Sequence, residues 1–234
     1  MTTKLINLPH LAEMVFGVPH YVSRQTMDSV KAVLIPRIQG TVENSGIQLA
    51  LDPEKAPASE QVQPAGGVAV IPVHGLLVAR RGQITQACTE LTSYERIRSQ
   101  LNAALNDPSI SEIVLDINSG GGAAVGCKEL ADYIYQSRET KPITAIVNYN
   151  AFSAAYFIAS ACSKIIVSQT SGVGSIGVIM EHLDTSKLEE KMGLTFTTIF
   201  RGDNKNNGTQ HEPLSEEAQA MFQGMIDEMY ETFT

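Results

Sequence analysis

Apolar and polar residues are grouped along the chain in blocks that predict strands and helices in succession. Short β-branched runs bounded by glycine or proline indicate buried strands, and apolar residues spaced three or four apart indicate helices. The predicted strands are 68–73, 113–117, 143–147, 164–167 and 196–200, with a glycine-punctuated turn and strand at 172–178. The predicted helices are 23–38, 92–106, 124–137, one that Ser153 opens, 186–192 and one from Ser215 onward. Strands that alternate with helices predict an α/β fold built from βαβ units.

The ends and faces of these helices follow from the same pattern. Thr92 and Glu95 are spaced as a capping box, and Ser215 is placed to cap the last helix. Three apolar side chains of the helix that follows the glycines are predicted to face the core: Val125, Leu130 and Ile134.

A stretch rich in Pro, Ala, Glu and Gln at 52–66 is predicted to be a linker. We therefore divide the chain into an N-terminal arm and linker, residues 1–66, and one core domain, residues 67–234. The last apolar run reaches Phe233 without a helix cap, which predicts that the natural protein continues beyond Thr234.

Composition and charge narrow the class of protein. Apolar residues make up 43% of the chain, enough for a globular core, and the net charge of −8 argues against nucleic-acid binding. We expect no membrane span and no secretory signal, because no apolar run reaches the required length. The odd number and wide spacing of the cysteines argue against disulfides and zinc, and predict a reducing cytoplasm. The three are expected to be small buried apolar residues: Cys88, Cys127 and Cys162.

Three features could together perform acyl transfer. Ser153 starts an apolar helix, residues 120–122 are three glycines after a strand, and Lys205 lies in a polar loop 52 residues beyond Ser153. A serine needs a base to become a nucleophile, and a lysine can be that base if burial lowers its pKa. Glycine N–H groups and the amide of Ala154 could hold the oxyanion. Because adjacent parallel strands end at the same sheet edge, the glycines and Ser153 are expected to lie together.

Simpler interpretations exist for each feature. A serine at a helix start is usually an N-cap, three glycines can form a plain turn, and a loop lysine is usually a solvated charge. A Ser-His-Asp triad stays open, with His182 as its best candidate. No metal-binding motif is present, so we expect no metal and no cofactor.

The motifs resemble those of the serine–lysine peptidases typified by bacterial signal peptide peptidase A, and among them the phage capsid assembly proteases. Residues 116–122 correspond to the family's aspartate followed by S/T-P-G-G, with Gly120 at the usual proline position. Ser153 stands at the nucleophile, residues 174–178 match G-S-I-G-V, and residues 202–205 match G-x-x-K. The resemblance covers the chain from about residue 67 onward.

The resemblance implies a Clp/crotonase-type α/β fold of repeated ββα units and a role for each residue. Ser153 attacks the scissile carbonyl, Lys205 is the general base and Ser175 orients the lysine. The N–H groups of Gly122 and Ala154 form the oxyanion hole.

The phage branch implies a homo-oligomer that cleaves scaffold, portal or capsid proteins inside a procapsid in the bacterial cytoplasm. A host signal-peptide-peptidase-like protease, a crotonase-type acyl-CoA enzyme and a shell component with a degenerate site remain as alternatives.

Overall fold

The computed structural model describes residues 9–39, 64–65, 67–80 and 91–234. The helices are α1 (Pro9–Val15), α2 (Arg24–Ile38), α3 (Tyr94–Asn106), α4 (Cys127–Ser137), α5 (Ala154–Ser160), α6 (Ser186–Lys191) and α7 (Glu216–Phe233). The first strands are β1 (His20–Val22), β2 (Pro64–Ala65), β3 (Val68–His74), β4 (Leu76–Val78) and β5 (Leu91–Ser93). The later strands are β6 (Glu112–Ser119), β7 (Gly121–Ala123), β8 (Ile143–Phe152), β9 (Lys164–Val167) and β10 (Gly172–Gly174).

The larger sheet confirms the predicted α/β class. Its strand order is β10-β8-β6-β3-β2, and β9 also pairs with β8. The neighbours β3, β6 and β8 are parallel, as are β9 and β10 with β8. Only β2 pairs antiparallel, with β3, so the predicted linker contains a short strand at its end. A smaller sheet has the order β1-β7-β4-β5.

Helices α3, α4 and α5 cover the larger sheet and close the main core. Strand residues such as Ile71 and Leu115 are fully buried against Ile97 of α3, Ile134 of α4 and Ile158 of α5. Leu130 is buried as predicted, but Val125 is 62% exposed. The prediction for Val125 was wrong because α4 begins only at Cys127, so Val125 lies outside the helical face.

The N-terminal segment packs on the domain. A second apolar cluster joins Val15 and Val22 with Met27 and Leu34 of α2, and Leu76 and Ile179 pack against it. In β1, His20 also exchanges two backbone hydrogen bonds with Ile179. The described part of the arm is therefore held by the same strands that surround the predicted site.

Two other local predictions need correction. Ser93, not Thr92, caps α3: its side chain accepts from the amide of Arg96, while Thr92 Oγ1 donates to the carbonyl of His74. Residues 196–200 form no strand, although their composition favours one. An isolated β-branched run has no ladder partner there, and Ile199 is 95% exposed.

The cysteines within the described ranges are buried, as predicted. Burial raises the pKa of both Cys127 and Cys162 to about 12, so neither thiol is a nucleophile at neutral pH. Cys88 and residues 52–63 lie outside the described residues. Among the helices that the structure describes, none has the length and apolar character needed to cross a membrane.

Candidate active site

Ser153 lies between the end of β8 and the first residue of α5. Its backbone has φ 54° and ψ −117°, a conformation that L residues rarely adopt. Its amide donates to the carbonyl of Gly174 at 2.7 Å, and its own carbonyl accepts from the amide of Phe157 at 2.9 Å. A strained turn from a strand into a helix is typical of nucleophile positions in hydrolases.

The hydroxyl of Ser153 does not cap the helix. Ser153 is fully buried, and its Oγ has no hydrogen-bond partner in the part of the chain that the structure describes. An unpaired buried hydroxyl costs about 1–3 kcal/mol. The N-cap interpretation therefore fails, and the side chain is left available for chemistry.

A different structural constraint favours glycine at each of the positions 120, 121 and 122. At Gly120 a Cβ would lie 2.0 Å from Thr26 Oγ1, and Gly121 has φ +96°. At Gly122 a Cβ would lie 1.9 Å from the carbonyl oxygen of Leu77, its register partner in β4. Backbone conformation and close backbone packing thus favour glycine at positions 121 and 122, whereas Gly120 leaves room for the side chain of Thr26.

The glycines and Ser153 lie together, as parallel neighbouring strands require. Ser119 of β6 pairs with Ala151 of β8. A Cβ on Gly121 would lie 3.1 Å from the amide nitrogen of Ala154. The first amide of α5 and the glycine strand therefore face one small volume beside Ser153, where a helix N-terminus favours negative charge.

Strand β1 covers the backbone of the glycine strand. β1 pairs antiparallel with β7, with Tyr21 opposite Gly122, and Ser23 donates to the carbonyl of Gly120 at 2.8 Å. The amide of Gly121 donates to Ser119 Oγ at 3.0 Å. The three-residue strand β1 has too little periodicity to be found from sequence, and its partner lies about a hundred residues away.

Ser175 follows the residue whose carbonyl accepts from the Ser153 amide. It also has a positive φ, 55°, and its side chain is exposed. Ser175 therefore lies near the backbone of Ser153.

Lys205 makes no hydrogen bond to Ser153 Oγ in this structure. It lies in an exposed turn, where its amide donates to the carbonyl of Gly202 at 3.1 Å. The burial that a neutral lysine needs is absent around Lys205 in the single chain. The structure thus brings together Ser153, Ala154 and the glycines but leaves Lys205 apart from them.

Among the side chains that the structure describes, no histidine completes a triad with Ser153. Nε2 of His182 donates to the carbonyl of Thr209 at 2.9 Å. Two other histidines contact carboxylates, His74 with Asp116 and His211 with Glu189. Because Ser153 Oγ has no partner, none of these can activate it here. Within the described residues no group of three His, Cys, Asp or Glu side chains is placed to hold a metal ion.

A cavity of about 500 Å³ opens beside the glycines. One wall is the end of the larger sheet, including Ser119, Gly120 and Phe152, and the opposite wall is α2, including Thr26 and Val30. The N-terminal arm therefore forms one side of the cleft next to the candidate site.

Comparison with known proteins identifies the class. Residues 135–234 match the model of peptidase family S49. The head-tail preconnector protein GP5 of Enterobacteria phage P21 is 41% identical over 161 residues, which cover 69% of this chain and 32% of that protein. Capsid assembly protease C of Escherichia phage lambda is 31% identical over 251 aligned positions, which cover 100% of this chain and 56% of that protein. The chain therefore carries a peptidase S49 domain, and the resemblance to the phage capsid protease branch is confirmed.

A bacterial protein and one solved structure are also similar to this chain. A putative signal peptide peptidase SppA of Enterococcus faecium is 29% identical over 159 residues, covering 67% of this chain and 46% of that protein. The chain thus spans about a third to just over half of the length of these relatives. An enoyl-CoA hydratase/isomerase family member of known structure is 18% identical, with a TM-score of 0.37 over 58% of this chain and 53% of that one.

Proposed function

We propose that the protein is a serine endopeptidase that uses Ser153 as nucleophile and Lys205 as general base. The observation that carries this proposal is Ser153 itself. It is buried, strained and without a partner at a helix N-terminus, beside the glycine strand. The peptidase S49 match and the proteases among its relatives support the same chemistry.

The proposed reaction has two steps. Ser153 Oγ attacks the scissile carbonyl carbon while Lys205 Nζ takes its proton, and the oxyanion is held by the amides of Ala154 and Gly122. Lys205 then gives the proton to the leaving amine as the C–N bond breaks, which leaves an ester on Ser153. Water, deprotonated by the same lysine, hydrolyses the ester and restores the serine. Ser175 is the residue that orients Lys205 in this proposal.

In this proposal, assembly of several chains brings Lys205 to a serine nucleophile. Lys205 and Ser153 do not meet, and several large apolar side chains precede Lys205 on an exposed segment: Met192, Leu194, Phe196, Ile199 and Phe200. A homo-oligomer would bury this surface and bring Lys205 to a serine, either of its own chain or of a neighbour.

The names of the relatives suggest which substrates the protein cleaves and where. Proteins named capsid assembly protease and head-tail preconnector protein match the chain. We therefore propose that its substrates are scaffold, portal or capsid proteins, cleaved within a procapsid in the bacterial cytoplasm. No nucleic acid and no cofactor take part in the proposed reaction.

A serine-reactive fluorophosphonate tests the proposal. It should form one adduct, on Ser153, identified by mass spectrometry of the digested protein. Ser160, an exposed hydroxyl on the same helix, should stay unmodified. An acyl-CoA enzyme of the crotonase type needs no serine nucleophile, so the absence of an adduct on Ser153 in assembled protein would contradict the peptidase mechanism.

A further inference from the structure

The N-terminal strand β1 lies directly against the candidate oxyanion residues. One edge pairs antiparallel with β7, with Tyr21 opposite Gly122. On the other edge the amide of His20 donates to the carbonyl of Ile179 at 2.8 Å, and its carbonyl accepts from the amide of Ile179 at 2.9 Å. β1 is thus held as a middle strand between two backbone segments of the catalytic domain.

The carbonyl of Tyr21 points at the candidate oxyanion hole. Both backbone groups of His20 are used on the Ile179 side, so those of Tyr21 face β7, since alternate residues of a strand point to opposite edges. The Tyr21 oxygen lies 2.2 Å, and the Ala154 nitrogen 3.1 Å, from the place that a Cβ on Gly121 would take. The carbonyl is therefore next to both proposed donors, Gly122 and Ala154.

The side chain of Tyr21 fills an aromatic pocket next to Ser153. It is only 2% exposed, and its ring centroid lies 5.9 Å from that of Phe157 and 5.0 Å from that of Phe233. Its hydroxyl donates to the carbonyl of Met229 at 2.7 Å. Phe157 is one helical turn beyond Ser153, to whose carbonyl its amide is bonded. Apolar walls with one polar end suit a large aromatic side chain.

We propose that β1 occupies the place of a bound substrate strand, with Tyr21 standing for the residue whose carbonyl is attacked. This inference rests on the proposed function and adds a substrate class to it. The substrate is an extended peptide that adds as a strand between β7 and Ile179. It places a large aromatic or apolar side chain against the stacked rings of Phe157 and Phe233. The arm is then an internal inhibitor that must leave before a peptide can bind.

A reversible disulfide across β1 tests whether the arm blocks the site. His20 and Ile179 are a hydrogen-bonded antiparallel pair, whose Cα atoms lie about 5.5 Å apart, within the range that a disulfide spans. The variant is His20→Cys with Ile179→Cys in a Cys88→Ser background, and each single cysteine variant is its control. The measured quantity is the rate at which the fluorophosphonate labels Ser153, with and without reductant.

The expected result is labelling about tenfold or more slower in the oxidised double variant than after reduction. The single variants should respond to reductant by less than about twofold, because they contain no bridge to break. Equal labelling rates in the oxidised and reduced double variant would overturn the inhibitor role while leaving the nucleophile intact. Failure to label Ser153 in any form would instead contradict the proposed function, and the inference with it.

A second pair of variants does not depend on the disulfide. Tyr21→Ala empties the pocket and should raise the labelling rate, whereas Tyr21→Phe keeps the ring and should stay close to the parent rate. Thermal melting shows whether each variant is folded.

Fluorogenic peptides then test the pocket in the reduced double variant. A peptide with Tyr or Phe before the cleaved bond should be hydrolysed faster than the same peptide with Asp or Gly. Equal rates for Phe and Asp peptides would overturn the aromatic specificity.

Discussion

The two proposed members of the dyad lie in regions that are packed very differently. Ser153 and its neighbours Ala154 and Ala155 are fully buried where β6, β8 and α5 meet. Residues 192–205 contain no strand or helix beyond the end of α6, and their large apolar side chains are exposed. The comparison teaches that core packing of a single chain fixes the position of Ser153, whereas the proposed role of Lys205 as base requires contacts that assembly would have to supply.

The buried region is tested by replacing its proposed nucleophile, Ser153. Ser153→Ala should lower peptide turnover by about 10⁴–10⁶-fold, because the alanine can form no acyl intermediate. The melting temperature should not fall, since the lost hydroxyl has no hydrogen-bond partner. Ser160→Ala on the same helix is the control and should keep its activity. Undiminished turnover by Ser153→Ala would refute the assignment.

The exposed region is tested at Lys205. Lys205→Arg should lower turnover by about 10²–10⁴-fold, since a guanidinium cannot act as a base near neutral pH. Stability should change little, because the side chain is exposed in the single chain. Lys191→Arg, at the exposed end of α6, should be fully active.

Mixing inactive variants shows which chain supplies the base. Ser153→Ala protein combined with Lys205→Arg protein regains activity if the lysine serves a serine of a neighbouring chain. No recovery in mixed oligomers places both residues in one chain. A fully active Lys205→Arg protein would remove the lysine from the mechanism altogether.

The same contrast predicts which surface forms the proposed oligomer interface. Ile199→Asp should abolish the proposed homo-oligomer in light scattering at micromolar concentration, because a charge would be placed on the surface that the proposed assembly buries. The single chain should lose less than about 0.5 kcal/mol, since Ile199 is already exposed. Gln136→Asp, on the exposed side of α4, adds the same charge elsewhere and should leave the oligomer intact. An Ile199→Asp oligomer of unchanged size would show that this surface is not an interface.

Sequence patterns predicted the buried region well because its own composition determines it. The β-branched runs at 68–73, 113–117 and 143–147 are strands that pair with one another in order, and Ser215 caps α7 as predicted. The parallel neighbours also placed the glycines beside Ser153. Close packing in the strands and at the glycines leaves few residue types that fit. The sequence pattern in this region therefore predicts the structure.

The sequence failed where structure depends on distant partners. Residues 196–200 have strand composition but no neighbouring strand, so propensity alone was misleading. β1 is only three residues long and exists through its pairing with β7 and Ile179. Nothing local to Tyr21 predicts that it lies beside Ser153. The site residues assigned from the motifs, including Lys205 and Ser175, stay predictions that the experiments above must decide.

The smallest expected effect is a pH dependence of arm docking through His20. Burial lowers the pKa of His20, although its bond to the Val15 carbonyl and the nearby Glu181 oppose this. Glu181 itself is paired with Arg24 and Lys31 of α2. A docked His20 with a lowered pKa binds fewer protons than a released one, so docking is strongest above the ordinary value of 6.5 and weakens as the pH falls below it.

The melting temperature should therefore fall between pH 7 and pH 5.5, and this fall should be smaller in His20→Gln, whose side chain does not titrate. A shift of only a few degrees is expected, because about 1 kcal/mol corresponds to about 2–4 °C in a domain of this size. Melting is the right measurement, since it reports on docking of the arm without depending on the catalytic step. Glu181→Gln serves as the control for the carboxylate that faces His20. If the melting temperature falls by the same amount in the parent and in His20→Gln over this range, protonation of His20 does not release the arm.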